Sequence, residues 1–116
     1  MAIQKFEDII AWQKAQDYAV DVYSAFRDSR DFGFRDQIGR AVVSISNNIA
    51  EGFDRSSNAD FSRFLYIAMG SCSEVKSMIY LSTKLKYLTE KEQTQLLKKG
   101  YEVSKIIRGL IKSMKA

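Results

Sequence analysis

Apolar residues recur at three- and four-residue steps in four successive stretches, the period of one face of a helix. Ile9, Trp12, Ala15, Ala19, Val22, Tyr23 and Phe26 predict a first helix over 7–27. The charged, aperiodic run Arg27-Asp28-Ser29-Arg30-Asp31 reads as the first connection. Phe34, Ile38, Ala41, Val42, Ile45 and Ile49 predict a second helix over 32–52, ending near Gly52 as a left-handed C-terminal residue. Ser57 with Asp60 has the form of a capping box and opens a third helix, 58–87, along Phe61, Phe64, Leu65, Ala68, Cys72, Val75 and Ile79. Thr89 with Glu92 is a stronger box, with residue types and spacing both right, and opens a fourth helix over 90–114. There Leu96, Gly100, Val103, Ile107, Leu110 and Met114 step by four and three, as in a heptad seam. Short connections make neighbouring helices antiparallel, so the expected fold class is all-α: an up-down-up-down antiparallel four-helix bundle, one domain over 1–116.

Composition narrows the chemistry. The 116 residues include no proline, which leaves helices unbroken, and no histidine. Without histidine the commonest general base and the imidazole metal ligand are gone, with every Ser-His or Cys-His site. Glu51 has no second carboxylate at a fixed spacing and reads as a structural acceptor. None of the six glycines belongs to a phosphate-binding loop. The lone Cys72 cannot form an internal disulfide and lies on an apolar stripe, as core filling. No catalytic residue, metal site or cofactor is therefore expected. The N-terminus is too polar for a signal peptide, and no apolar run approaches the ~18–20 residues that span a bilayer. A cytoplasmic protein without membrane contact is expected.

The net charge of +4 is unevenly placed. Residues 84–116 carry nine Lys/Arg against three Asp/Glu, a balance of +6, whereas residues 1–83 carry nine against eleven, a balance of −2. Lys91, Lys98, Lys105 and Lys112 repeat every seven residues and point away from the Leu96–Met114 seam. Arg108 and Lys115, with Tyr101, form a second row beside them. Neighbouring lysines of the first row are ~10.5 Å apart along the axis, spaced to meet several phosphates without reading sequence. The alternative is a solvated outer face. Lys76, Tyr80, Lys84 and Tyr87 interleave basic and aromatic side chains on the third helix, and read first as cover for the rim of a core or contact. Arg40 lies on the second helix among small and polar residues, where burial would make it matter to fold or assembly. Candidate nucleic-acid contacts are thus Lys84, Lys91, Lys98, Lys105, Arg108, Lys112, Lys115 and Arg40.

Phe64 to Met69 is an unbroken apolar run, more than one buried stripe needs, and Ile10 and Tyr18 widen the apolar surface of the first helix. A homo-oligomer joined through Ile10, Tyr18, Tyr66 and Met69 would cover the surplus. Two functions survive: an oligomer holding RNA or DNA by backbone charge, and an oligomeric protein-interaction scaffold whose basic surface serves solubility or an acidic partner.

Phe6-Glu7-Asp8-Ile9 with Ala11-Trp12-Gln13-Lys14-Ala15, then Arg40-Ala41-Val42-Val43-Ser44-Ile45 and Asn48-Ile49-Ala50-Glu51-Gly52, resemble a bacterial family. Phe61, Phe64-Leu65, Ile67-Ala68, Gly70-Ser71 and Glu74 match its third-helix pattern. It is the four-helix-bundle family of 23S ribosomal RNA intervening-sequence proteins, which includes the accessory variability determinant proteins of diversity-generating retroelements. The resemblance covers roughly residues 6–88. It implies a homopentamer with a basic surface, and its retroelement branch binds a reverse transcriptase and nucleic acid. The chain departs from the pattern at Gly39-Arg40, where two consecutive basic residues are common, and at Ser46, where proline is frequent.

Overall fold

A computed structural model describes residues 3–55 and 57–115. One 3₁₀ turn, Phe6–Asp8, leads into α1, Ile10–Ala25; α2 spans Phe32–Phe53, α3 Asn58–Lys84 and α4 Glu90–Ser113. Among the described residues there is no strand. Each helix packs on the one before it and α4 closes back on α1, so α1 faces α3, and α2 faces α4, only across the diagonals. The result is an all-α four-helix bundle, 44 Å long and about half as wide.

Side-chain caps fix where the helices begin. Asp31 Oδ1 accepts the Phe34 amide at 3.1 Å at the head of α2. Ser57 Oγ accepts the Asp60 amide at 3.1 Å, but Asp60 returns no bond, so that expected box is only half made. Aspartate is one methylene shorter than the glutamate that usually reaches back. At α4 the box is complete: Thr89 Oγ1 accepts the Glu92 amide at 3.1 Å and Glu92 Oε1 accepts the Thr89 amide at 2.9 Å. The third helix stops at Lys84, three residues short of expectation, because Lys86 turns left-handed at φ 66°. The Tyr87 amide then bonds the Ser82 carbonyl at 2.8 Å and the Lys86 amide the Thr83 carbonyl at 3.0 Å, a Schellman closure.

The core is built from Val22, Phe26, Ile38, Ile45, Ile49, Leu65, Val75, Ile79 and Ile107, with Cys72 among them. Three features differ from the sequence pattern. The buried face of α1 is Ala11, Ala15, Tyr18 and Val22, so Tyr18 lies inside at 1% exposure and Tyr23 outside at 55%. The opening for Tyr18 is Gly100 of α4, where a Cβ would lie 2.6 Å from the tyrosine hydroxyl. Gly52 is helical and buried instead of left-handed. A Cβ there would fall 2.5 Å from Phe64 Cβ, so the glycine lets α2 and α3 approach closely. On α4, Ile111 is buried while Leu110 and Met114 are only half-buried, because Val103, Ile107 and Ile111 follow the drift of a straight helix away from a 3.5-residue seam.

Candidate nucleic-acid interface

Lys91, Lys98, Lys105 and Lys112 are all exposed along the outer side of α4. None of them enters an ion pair among the described residues. The acids that could have neutralised the helix are placed elsewhere. Glu102 pairs with Lys14 of α1 at 3.3 Å, and Glu90 and Glu92 lie in the first turn, where the helix dipole favours them. Lys99 reaches across the surface to α1, pairing with Asp21, and so stands apart from the ridge.

The second row, Tyr101, Arg108 and Lys115, flanks the furrow between α3 and α4. Lys76 of α3 lies 4.4 Å from the centre of the Tyr101 ring and donates to Ser104 Oγ at 3.1 Å. Lys115 Nζ donates to the Tyr66 hydroxyl at 3.1 Å. Near that end, Tyr66, Met69, Arg108, Ile111, Lys112 and Lys115 line a cavity of about 350 Å³. Tyr80 is exposed beside Tyr101, whose hydroxyl raises the Tyr80 phenol above its ordinary pKa. Lys84 is exposed one turn farther along α3. Between residues 61 and 115 the acids are Glu74, Glu90, Glu92 and Glu102, against eleven Lys and Arg, so cations outnumber acids on the α3–α4 surface and exposed tyrosine rings lie among them. Such a surface can neutralise phosphates and offer ring faces to unpaired bases.

Two expected groupings do not form. Arg40 is exposed, not buried; the residue enclosed at that turn is Gly39, covered by Tyr23 of α1. Because α2 is diagonal to α4, Arg40 also stands apart from the lysine ridge. Of the expected oligomer contacts, Tyr18 is in the core. Its hydroxyl has no hydrogen-bond partner among the described residues, and burial drives its pKa upward. Ile10 is exposed on the first turn of α1, whereas half-buried Met69 and exposed Tyr66 share the α3–α4 furrow with Arg108 and Lys112. Candidates assigned to separate surfaces therefore meet on one.

Two features escape a reading of the sequence. Leu81 on α3 and Leu85 just past its end are exposed, and their spacing of four residues is the signal that could have found them. Arg27, Arg35 and Arg40 line a cleft between α1 and α2, which no local motif announces. Among the described residues no group of His, Cys, Asp or Glu could hold a metal ion. No described helix is long and apolar enough to cross a membrane.

The family model of the 23S rRNA-intervening sequence proteins matches residues 7–109. No curated protein matches the chain. Among solved structures, a protein of unknown function from the S23 ribosomal protein family of Bacteroides thetaiotaomicron is similar, with a TM-score of 0.82 and 26% identity. The alignment covers 89% of this chain and 99% of that one.

Proposed function

The chain belongs to the 23S rRNA-intervening sequence protein family, and on that footing we propose that it is a non-enzymatic, homo-oligomeric nucleic-acid-binding protein of the bacterial cytoplasm. RNA is the first candidate ligand, in keeping with the family's description. The observation that carries this reading is the ridge of Lys91, Lys98, Lys105 and Lys112, without ion pairs among the described residues and flanked by Tyr101, Arg108 and Lys115. The lysines act by releasing counterions from phosphates, and the tyrosines stack on bases that are not paired. Exposed apolar side chains at Ile10, Tyr66 and Ile67 support self-association, and the family resemblance suggests a pentamer.

The test is an anisotropy titration of structured RNA, single-stranded RNA and duplex DNA over a range of salt. Changing Lys98, Lys105 and Lys112 together to Glu is expected to leave the fold intact, since all three are exposed. Affinity should fall for every sequence, and the salt slope should flatten by about 0.7–0.9 for each phosphate that is no longer neutralised. An unchanged affinity, or no binding by the unmodified protein at low salt, leaves the ridge as a solvated face. The exposed Leu81 on α3 and Leu85 just past its end would then favour a second reading, an oligomeric scaffold for a protein such as a reverse transcriptase.

A further inference from the structure

The cleft between the C-terminal end of α1 and the first half of α2 has a volume of about 590 Å³, within the ~300–1,000 Å³ of small-ligand sites. Its floor is apolar, made by the buried side chains of Val22, Phe26 and Ile38. Tyr23 forms one wall, leaning on α2 where Gly39 has no side chain; a Cβ there would lie 3.0 Å from the tyrosine hydroxyl. Arg27, Arg35 and Arg40 line the cleft with one acid, Asp36, leaving a balance of +2. None of these four side chains enters an ion pair among the described residues. Arg35 is already held in place. Its guanidinium lies 4.8 Å from the centre of the Phe32 ring, and Nη1 donates to the Ser29 carbonyl at 3.4 Å. Little further side-chain entropy is lost when such a group meets a ligand.

We propose that this cleft binds a phosphate monoester carried on a planar base: a nucleoside 5′-monophosphate, free or at the phosphorylated 5′ end of an RNA strand. A monoester carries a charge of about −1.5 to −2 at neutral pH, which matches the balance of the lining. Guanidinium forks fit phosphate oxygens in pairs, where lysine offers only a point charge. A free inorganic phosphate would leave the apolar floor and the Tyr23 ring wet, whereas a base covers both. A peptide carboxylate would bring only one negative charge. The site lies on α1 and α2, away from the α4 ridge, and does not depend on the ridge binding anything.

The test follows backbone amide shifts of the isotope-labelled, unmodified protein. It is titrated in turn with AMP, UMP, adenosine, inorganic phosphate, a short RNA with and without a 5′-phosphate, and a peptide rich in Asp and Phe. Saturable shifts at Tyr23, Gly39 and Arg40 are expected with the mononucleotides or with the 5′-phosphorylated RNA, and whichever of the two acts identifies the source. Adenosine and inorganic phosphate should each bind about tenfold more weakly, or not at all. Arg27→Gln and Arg40→Gln, both at exposed positions, should each weaken binding about tenfold while the spectrum stays folded. The Lys98, Lys105 and Lys112 charge-reversal variant should bind the mononucleotide as the unmodified protein does. The proposal is overturned if no saturation is reached at millimolar nucleotide or if the shifts are confined to α4. It is equally overturned if the acidic peptide saturates the cleft where nucleotides do not.

Discussion

Tyr18 shows how much one side chain can change the reading of a helix. As part of a list of apolar residues it widened the surface of α1; in the bundle it is enclosed, with its hydroxyl against the bare backbone of Gly100. That hydroxyl has no hydrogen-bond partner among the described residues, and a buried, unsatisfied polar group costs about 1–3 kcal/mol. Tyr18→Phe removes the group while keeping the ring. It is expected to stabilise the fold by about 1 kcal/mol, a rise of a few degrees in thermal midpoint. A lower midpoint in calorimetry would show instead that the hydroxyl is satisfied by a buried water. The neighbouring Cys72 thiol is likewise raised in pKa by burial, which keeps it in the neutral form.

At the scale of elements, the connections are tied to each other. Asp31 caps α2 through Oδ1 and accepts the Tyr87 hydroxyl on Oδ2 at 2.7 Å, linking the α1–α2 connection to the turn before α4. The Tyr87 ring also meets Phe34 edge-on, with centroids 5.6 Å apart. The Tyr87 hydrogen bond first, and the Phe34 amide second, hold the Asp31 carboxyl below its ordinary pKa. Stability from a carboxyl lowered on folding is present above its unfolded pKa and is lost as pH falls through the folded one. Tyr87 runs the other way: its raised pKa gives stability below the ordinary phenol value, lost as pH climbs through the raised one. In Tyr87→Phe the Asp31 pKa, followed by NMR titration, should climb toward the usual carboxylate range, and the acid limb of stability should become shallower. An unmoved Asp31 would mean that the Phe34 amide alone holds it down.

For the whole molecule the question is which surface another copy or a nucleic acid would cover. Tyr66 and Met69 share a furrow with Arg108, Lys112 and Lys115, so under the proposed function assembly and nucleic-acid binding would compete for it or divide it. Tyr66→Glu separates the two. Tyr66 is exposed, and its polar contact is with Lys115, so the fold should survive the change. If the furrow is a contact between copies, light scattering should report a smaller assembly than for the unmodified chain. If it holds nucleic acid, the assembly should persist and affinity should fall, because a negative charge is placed among cations. A change in neither would remove the furrow from both roles.

Much of this was legible in the residues because it depends on local order. Helix periods, the Thr89–Glu92 box and the seven-residue lysine spacing follow from 3.6 residues per turn and from side chains that reach only their own backbone. The same holds for the family pattern over most of the chain. What needed the tertiary structure depends on which helix lies opposite. Gly52 reads in sequence as a helix-ending glycine and Gly100 as one more position of the α4 seam, and only Phe64 and Tyr18 pressing on them shows that they are contacts between helices. Pairing Lys99 and Glu102 with α1 left the other α4 cations without an ion pair among the described residues, although every charge on the helix was visible beforehand. Arg27, Arg35 and Arg40 gather at one cleft because α1 and α2 are antiparallel across a short connection. Spacing along a chain fixes which residues share a face; only packing fixes what that face meets.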